Sequence, residues 1–144
     1  MTRVYLDTCI FRKLATDIET QSTIKERVES GRLEVVVSSV LLEELKAGPG
    51  GVPDFFPFTW IPEGVAVAGI AVAGAAKASD GELFKAHLGI SKTNTNDAIV
   101  SATADLECEI LVSGDRRNRG RLNKFGKNCK ALTYDEFREW LRQN

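Results

Sequence analysis

"RLEVVVSSVLLEELKAG", residues 32–48, decides how the rest of the chain is read. Its first half, 32–39, is a continuous β-branched run, the mark of a strand covered on both faces. Its second half, "VLLEELKAG" (40–48), reads as a helix that closes at Gly48. A fully covered strand passing straight into a helix is the building unit of an α/β domain with a parallel sheet.

The flanking sequence repeats that unit. Residues 3–7 read as a first strand, and a polar stretch with Ile24 and Val28 at helical spacing follows it and stops at Gly31. "DAIVSATADL" (97–106) is a helix with Ile99, Ala102, Thr103 and Leu106 on one face, and "EILVSG" (109–114) is another buried strand. "CKALT" (129–133) is the last strand. In "TYDEFREWLRQ" (133–143), Thr133 and Glu136 form a capping-box signature, and Phe137, Trp140 and Leu141 give the helix its apolar face. Between these units lie a breaker-rich loop with three phenylalanines, "GPGGVPDFFPF" (48–58), and a short extended piece, "TWIP". The small-residue segment "GVAVAGIAVAGAA" (64–76) is expected to be a tightly packed helix, its Gly and Val content being equally compatible with a strand, and 79–89 a second helix closing at Gly89. The whole, 1–144, is predicted to be one α/β domain with a central, mainly parallel sheet.

Composition narrows the chemistry. The chain has 144 residues, 43% hydrophobic and 27% charged, with a formal net charge of −1. Those fractions are ordinary for a globular protein, and no overall field attracts a polyanion, so any nucleic-acid site must be a local patch. Cys9, Cys108 and Cys129 are odd in number and far apart, which predicts reduced thiols and a cytoplasmic protein. The single histidine, His87, rules against a zinc site. Arg3 and Asp7 interrupt the N-terminus before a signal peptide can form. Segment 64–76 is shorter than the ~20 residues a membrane span needs.

Carboxylates carry the functional signal. Ligand sites in open parallel sheets form beyond the carboxyl ends of the strands. Asp7 follows the first strand, Asp115 follows "ILVSG", Glu44 sits just over one helical turn after "EVVVSS", and Asp97 starts its helix. With Leu41, Leu42 and Leu45 defining the buried face of its helix, Glu44 lies roughly 110° from the centre of that face and Glu43 roughly 150°. Glu44 therefore borders the sheet edge while Glu43 points to water. Clustered carboxylates repel, and a hard divalent cation such as Mg²⁺ or Mn²⁺ relieves that repulsion with oxygen ligands alone. Such a site suits phosphoryl chemistry.

"YLDTCIF", "VVVSSVLLEEL", "NDAIVSATA" and "ILVSGDRR" resemble, in order, the four acidic motifs of PIN-domain nucleases. They are particularly similar to the small single-domain members that include VapC-type toxins. The resemblance covers nearly the whole chain and is weakest over 48–90. It implies a three-layer α/β/α sandwich and a metal-dependent endoribonuclease with Asp7, Glu44, Asp97 and Asp115 as catalytic metal ligands. Thr8, Asn96 and Ser113 fall on the family's supporting polar positions. Mg²⁺ or Mn²⁺ as cofactor, an RNA substrate, a homodimer and an antitoxin protein that offers Arg or Lys to the pocket are further implications. Cys9 stands where many relatives have Asn, and 48–76 is unlike the family's usual charged helices.

Immediately after Asp115, "RRNRGRLNKFGK" (116–127) holds six positive residues and no acid. Arg116, Arg117, Arg119, Arg121 and Lys124 are candidates for gripping RNA phosphates from a basic loop.

Taken singly, each acid also has a plain structural use as a turn former, a helix cap or a solvated helix residue. Two other phosphoryl-transfer readings fit less well. A haloacid-dehalogenase-type phosphatase needs a second Asp where Cys9 stands, and a receiver domain needs a Lys where the chain has "SGDRR". The remaining rival is a catalytically inactive RNA- or protein-binding module on the same fold.

Overall fold

The computed structural model describes residues 1–61, 65–67, 70–71, 77–78 and 95–144, with side chains over 1–61 and 100–144. The chain enters the middle of its main sheet with β1 (Thr2–Leu6) and steps outward to β2 (Leu33–Val37) and β3 (Thr59–Trp60). It later returns to the other side of β1 with β7 (Ile110–Val112) and then β8 (Lys130–Leu132). The order is β3-β2-β1-β7-β8, and every neighbouring pair is parallel. Val4, Tyr5, Leu6, Val36, Leu111 and Val112 are fully buried, as strands covered on both faces require.

Helices supply that cover. α2 (Ile18–Glu29) packs on β2 and against α6 (Tyr134–Gln143). α4 (Thr95–Glu107) packs over β1 and β7 and against α5 (Arg116–Phe125). The sheet lies between these pairs in a three-layer α/β/α sandwich, the fold class expected from the sequence. α1 (Thr8–Leu14) and α3 (Ser39–Ala47) start at the carboxyl ends of β1 and β2 and touch one another. Among the described residues, no helix is long and apolar enough to cross a membrane.

Two expectations are corrected. Within 64–76 the described residues are strand rather than helix: β4 (Val65–Val67) pairs antiparallel with β5 (Ile70–Ala71) and parallel with β6 (Lys77–Ala78). Its β-branched residues at 65, 67 and 70 favour the pleated surface over a helix. The basic run 116–127 is not a loop but is mostly the helix α5. The expected helix over 79–89, with His87, lies outside the described residues.

Polar side chains fix the ends of the elements. The Asp17 carboxylate caps α2 through the Thr20 amide (3.2 Å) and also accepts from the Tyr134 hydroxyl (2.6 Å), tying α2 to α6. At the other end of α2, Gly31 has φ 77°. The amides of Gly31 and Arg32 there donate to the carbonyls of Val28 and Arg27, the paired bonds of a Schellman stop. The expected capping box at Thr133 and Glu136 is present. Asp105 accepts from the amides of Lys127, Asn128 and Cys129, shaping the turn into β8. On the edge strand β8, the Asn123 side chain bonds both the amide (2.8 Å) and the carbonyl (3.3 Å) of Ala131, occupying an edge that would otherwise invite another strand.

Gly31→Ala should lower stability by about 1–2 kcal/mol, because a Cβ is strained at that left-handed φ; urea denaturation of the two proteins measures it. Asp17 gives a pH-dependent contribution. Bonds from Tyr134 and Thr20, and then the Arg138 charge, hold its carboxyl below the usual value. The unfolded chain therefore takes up the proton first as pH falls. Stability from Asp17 is complete above about pH 4, the unfolded value, and is lost as pH drops through the lower folded one. Asp17→Asn should be less stable than the native chain at neutral pH, with the gap closing in acid melts.

Candidate functional site

Strand register sets the site. Leu6 pairs with Val112, so Asp7 and Ser113 leave the sheet side by side. The Asp7 amide still donates to the Val112 carbonyl (3.0 Å). From β1 the chain winds one way to β2 and β3 and, later, the other way to β7 and β8. The β1/β7 boundary is thus the point where strand order reverses, and crevices open at such points in doubly wound sheets. Next door, Ser38 at the end of β2 hydrogen-bonds the Tyr5 hydroxyl (2.5 Å) and caps α3 through the Leu41 amide. That fixes the start of the helix bearing Glu44.

A cavity of about 810 Å³ lies at this edge, lined by Asp7, Thr8, Cys9, Arg12, Lys13, Glu44, Ala47, Gly48, Gly114 and Asp115. Asp7 caps α1: its Oδ1 accepts from the Thr8 amide (2.8 Å) and its Oδ2 from the buried Ser113 hydroxyl (2.9 Å). The Ser113 oxygen in turn accepts from the Asp115 amide (3.1 Å). Asp115 caps α5, its Oδ1 accepting from the amides of Arg117 and Asn118. Glu44 Oε2 accepts from the Thr8 hydroxyl (2.5 Å). Glu43 is exposed on the surface and pairs with Lys46, so of the two glutamates Glu44 is the one at the cavity.

Asp7, Glu44 and Asp115, with Thr8 and Ser113, are therefore brought to one place. Asp97 falls in the first turn of α4, but its side chain and that of Asn96 lie outside the described residues. Among the described residues, no group of three or more His, Cys, Asp or Glu side chains is arranged to hold a metal ion.

The basic residues divide. Arg116, Arg117 and Lys124 are exposed on α5. The Arg119 guanidinium donates to the Ser113 carbonyl (2.8 Å), bracing the loop after β7. Arg121 is buried at 8% exposure, which removes it from the expected phosphate-gripping surface. The sequence reading missed Arg12 and Lys13, which line the cavity from α1. The signal was available, since Arg12 stands one helical turn after Thr8 and shares its face.

Cys9 lines the same cavity. Burial raises its pKa, a Gly114 N–H bond opposes the rise, and the neighbouring Asp7 charge adds to it. The thiol stays protonated near neutral pH. Burial likewise pushes Cys108 up to about 12.

Compared with known proteins, the chain matches no family model and no curated sequence.

Because Asp115 works as a helix cap, its two simplest replacements should separate. Asp115→Ala should cost about 1 kcal/mol of stability, while Asp115→Asn, which retains a capping oxygen, should stay close to the native chain. Thermal melts of both variants check this.

Proposed function

We propose that the chain is a divalent-metal-dependent endoribonuclease of the PIN type. One observation carries the reading. Carboxyl groups from the end of β1, from α3 and from the start of α5 line a single cavity where the strand order reverses. The order of the four acidic motifs in the sequence supports the same conclusion.

Asp7, Glu44 and Asp115 offer carboxylate oxygens, the donor type that Mg²⁺ and Mn²⁺ prefer, in a cavity that Cys9, Arg12 and Lys13 also line. Asp7, Glu44 and Asp115 would hold the ion, joined by Asp97 on the strength of the resemblance. When bound, such an ion supplies charge stabilisation at a phosphodiester and makes water more acidic. The chain's own groups supply the rest. Ser113 fixes Asp7 relative to Asp115, and Thr8 fixes Glu44. Arg12 and Lys13 on one side, and Arg116 and Arg117 on the first turn of α5, offer charge for phosphates flanking the scissile bond.

The second reading is an inactive RNA- or protein-binding module. It is favoured by the lack of a ready-made three-residue metal cluster among the described side chains. Calorimetric titration with Mn²⁺ separates the two, because the module would show no binding.

Purified protein should cleave single-stranded RNA with Mg²⁺ and lose that activity with EDTA. Asp7→Asn and Glu44→Gln should each reduce the rate by about a hundredfold or more. Ser113→Ala, which only releases the carboxylates it orients, should reduce it by about 10–100-fold. Full activity in the Asp7 and Glu44 variants would refute the assignment.

A further inference from the structure

A second cavity, of about 510 Å³, adjoins the first and shares Thr8, Arg12, Glu44 and Gly48 with it. Its far wall is the loop 48–55, and Phe11, Leu45, Val52 and Phe55 contribute apolar surface. The function proposed above uses only the residues it shares with the first.

The loop is built to leave this space open. Gly50 and Gly51 have φ of 81° and 69°, a backbone that side chains disfavour, and no atom stands within 4 Å of where either Cβ would be. Pro49 and Pro53 bracket them, limiting the conformations the loop can take. From behind, Phe55 leans on Phe56, Phe56 packs edge-on against Phe58 (5.4 Å), and Phe58 packs edge-on against Phe11 (5.6 Å). The wall is thus a supported aromatic and aliphatic surface. Its size and lining are those of a small-molecule pocket, with a few polar groups placed at one end.

The polar end lies where the two cavities meet. Arg12 lines both cavities, and its Nη2 lies 3.7 Å from the position of a Cβ on Gly48, at their junction. A ligand spanning the junction meets a cation in the middle, a largely apolar pocket that also carries Asp54 on one side, and the carboxylates of the first cavity on the other. We infer that the 48–55 cavity receives an unstacked base of single-stranded RNA, whose phosphate lies by Arg12 and whose neighbouring linkage enters the acidic cavity. This rests on the ribonuclease reading for its substrate class and adds the subsite that selects where the strand is held. A planar base on an aromatic wall gains stacking energy that a sugar phosphate cannot.

The test uses the intact, isotope-labelled chain without metal, titrated with cytidine and adenosine 5′-monophosphates and with ribose 5-phosphate. The nucleotides should shift the amide resonances of Gly50, Gly51 and Val52, whereas ribose 5-phosphate should leave them in place. Phe55→Ala and the surface change Val52→Asp should each weaken nucleotide binding by about tenfold, with circular dichroism confirming the fold. Equal shifts from ribose 5-phosphate, or native affinity in both variants, would overturn the inference. A silent loop in a protein that still cuts RNA with Mg²⁺ also overturns it, leaves the nuclease reading intact and hands the cavity to a protein segment. A loop that binds nucleotides in a protein that cuts nothing supports the subsite and removes the cleavage.

Discussion

Parallel pairing of β1 with β7, in the register that sets Leu6 against Val112, is the constraint from which the cavity follows. Parallel strands leave a sheet at the same edge, so the residues after each strand must share space. A slip of one residue would turn Asp7 towards the opposite face and separate it from Ser113. The register is held because Val4, Tyr5, Leu6, Ile110, Leu111 and Val112 are all buried, and a slipped strand would misplace every one of them. Positioning of the acidic edge is therefore a consequence of hydrophobic burial several residues away.

The acids serve the fold as well as the cavity. Asp7 and Asp115 each cap a helix, a structural use beyond the turns the sequence suggested for them. Capping does not compete with a role at the edge; it aims the carboxylate. Helix amides hold one oxygen of each group, and the Ser113 hydroxyl reaches the second oxygen of Asp7. Orientation is set before any ligand arrives, which spares a bound ion or phosphate the entropy of ordering those side chains.

Strands were legible where β-branched residues ran continuously, and helices where a cap or apolar spacing marked them. Leu33–Val37, Ile110–Val112 and the capping box of α6 show this. α5 was hidden for a physical reason. Its basic residues and Gly120 carry little apolar periodicity, and polar groups anchor it instead. Buried Asn118 accepts from the Ser101 hydroxyl of α4 (2.7 Å), and Asn123 clasps β8. Those bonds join residues whose proximity only the folded chain creates. Glu44 could be chosen over Glu43 because helical geometry is local. Arg12 shares a helix face with Thr8 and was legible on that ground, whereas its nearness to Glu44 depends on α1 meeting α3. Asp97 could be placed on α4 by its sequence, and the backbone agrees.

α1 links the two cavities mechanically. Its first residues cap and line the acidic edge, Arg12 stands at the junction, and Phe11 joins the phenylalanines of the 55–58 segment. Phe11 is 2% exposed, so α1 cannot rotate to move Thr8 or Arg12 without disturbing that aromatic contact. Close-packed interiors transmit such displacements rather than absorb them. The phenylalanine-bearing segment is therefore braced against the helix whose Thr8 hydroxyl donates to Glu44. The two cavities therefore share α1 as a common wall, and a displacement of that packed helix at one is carried to the other.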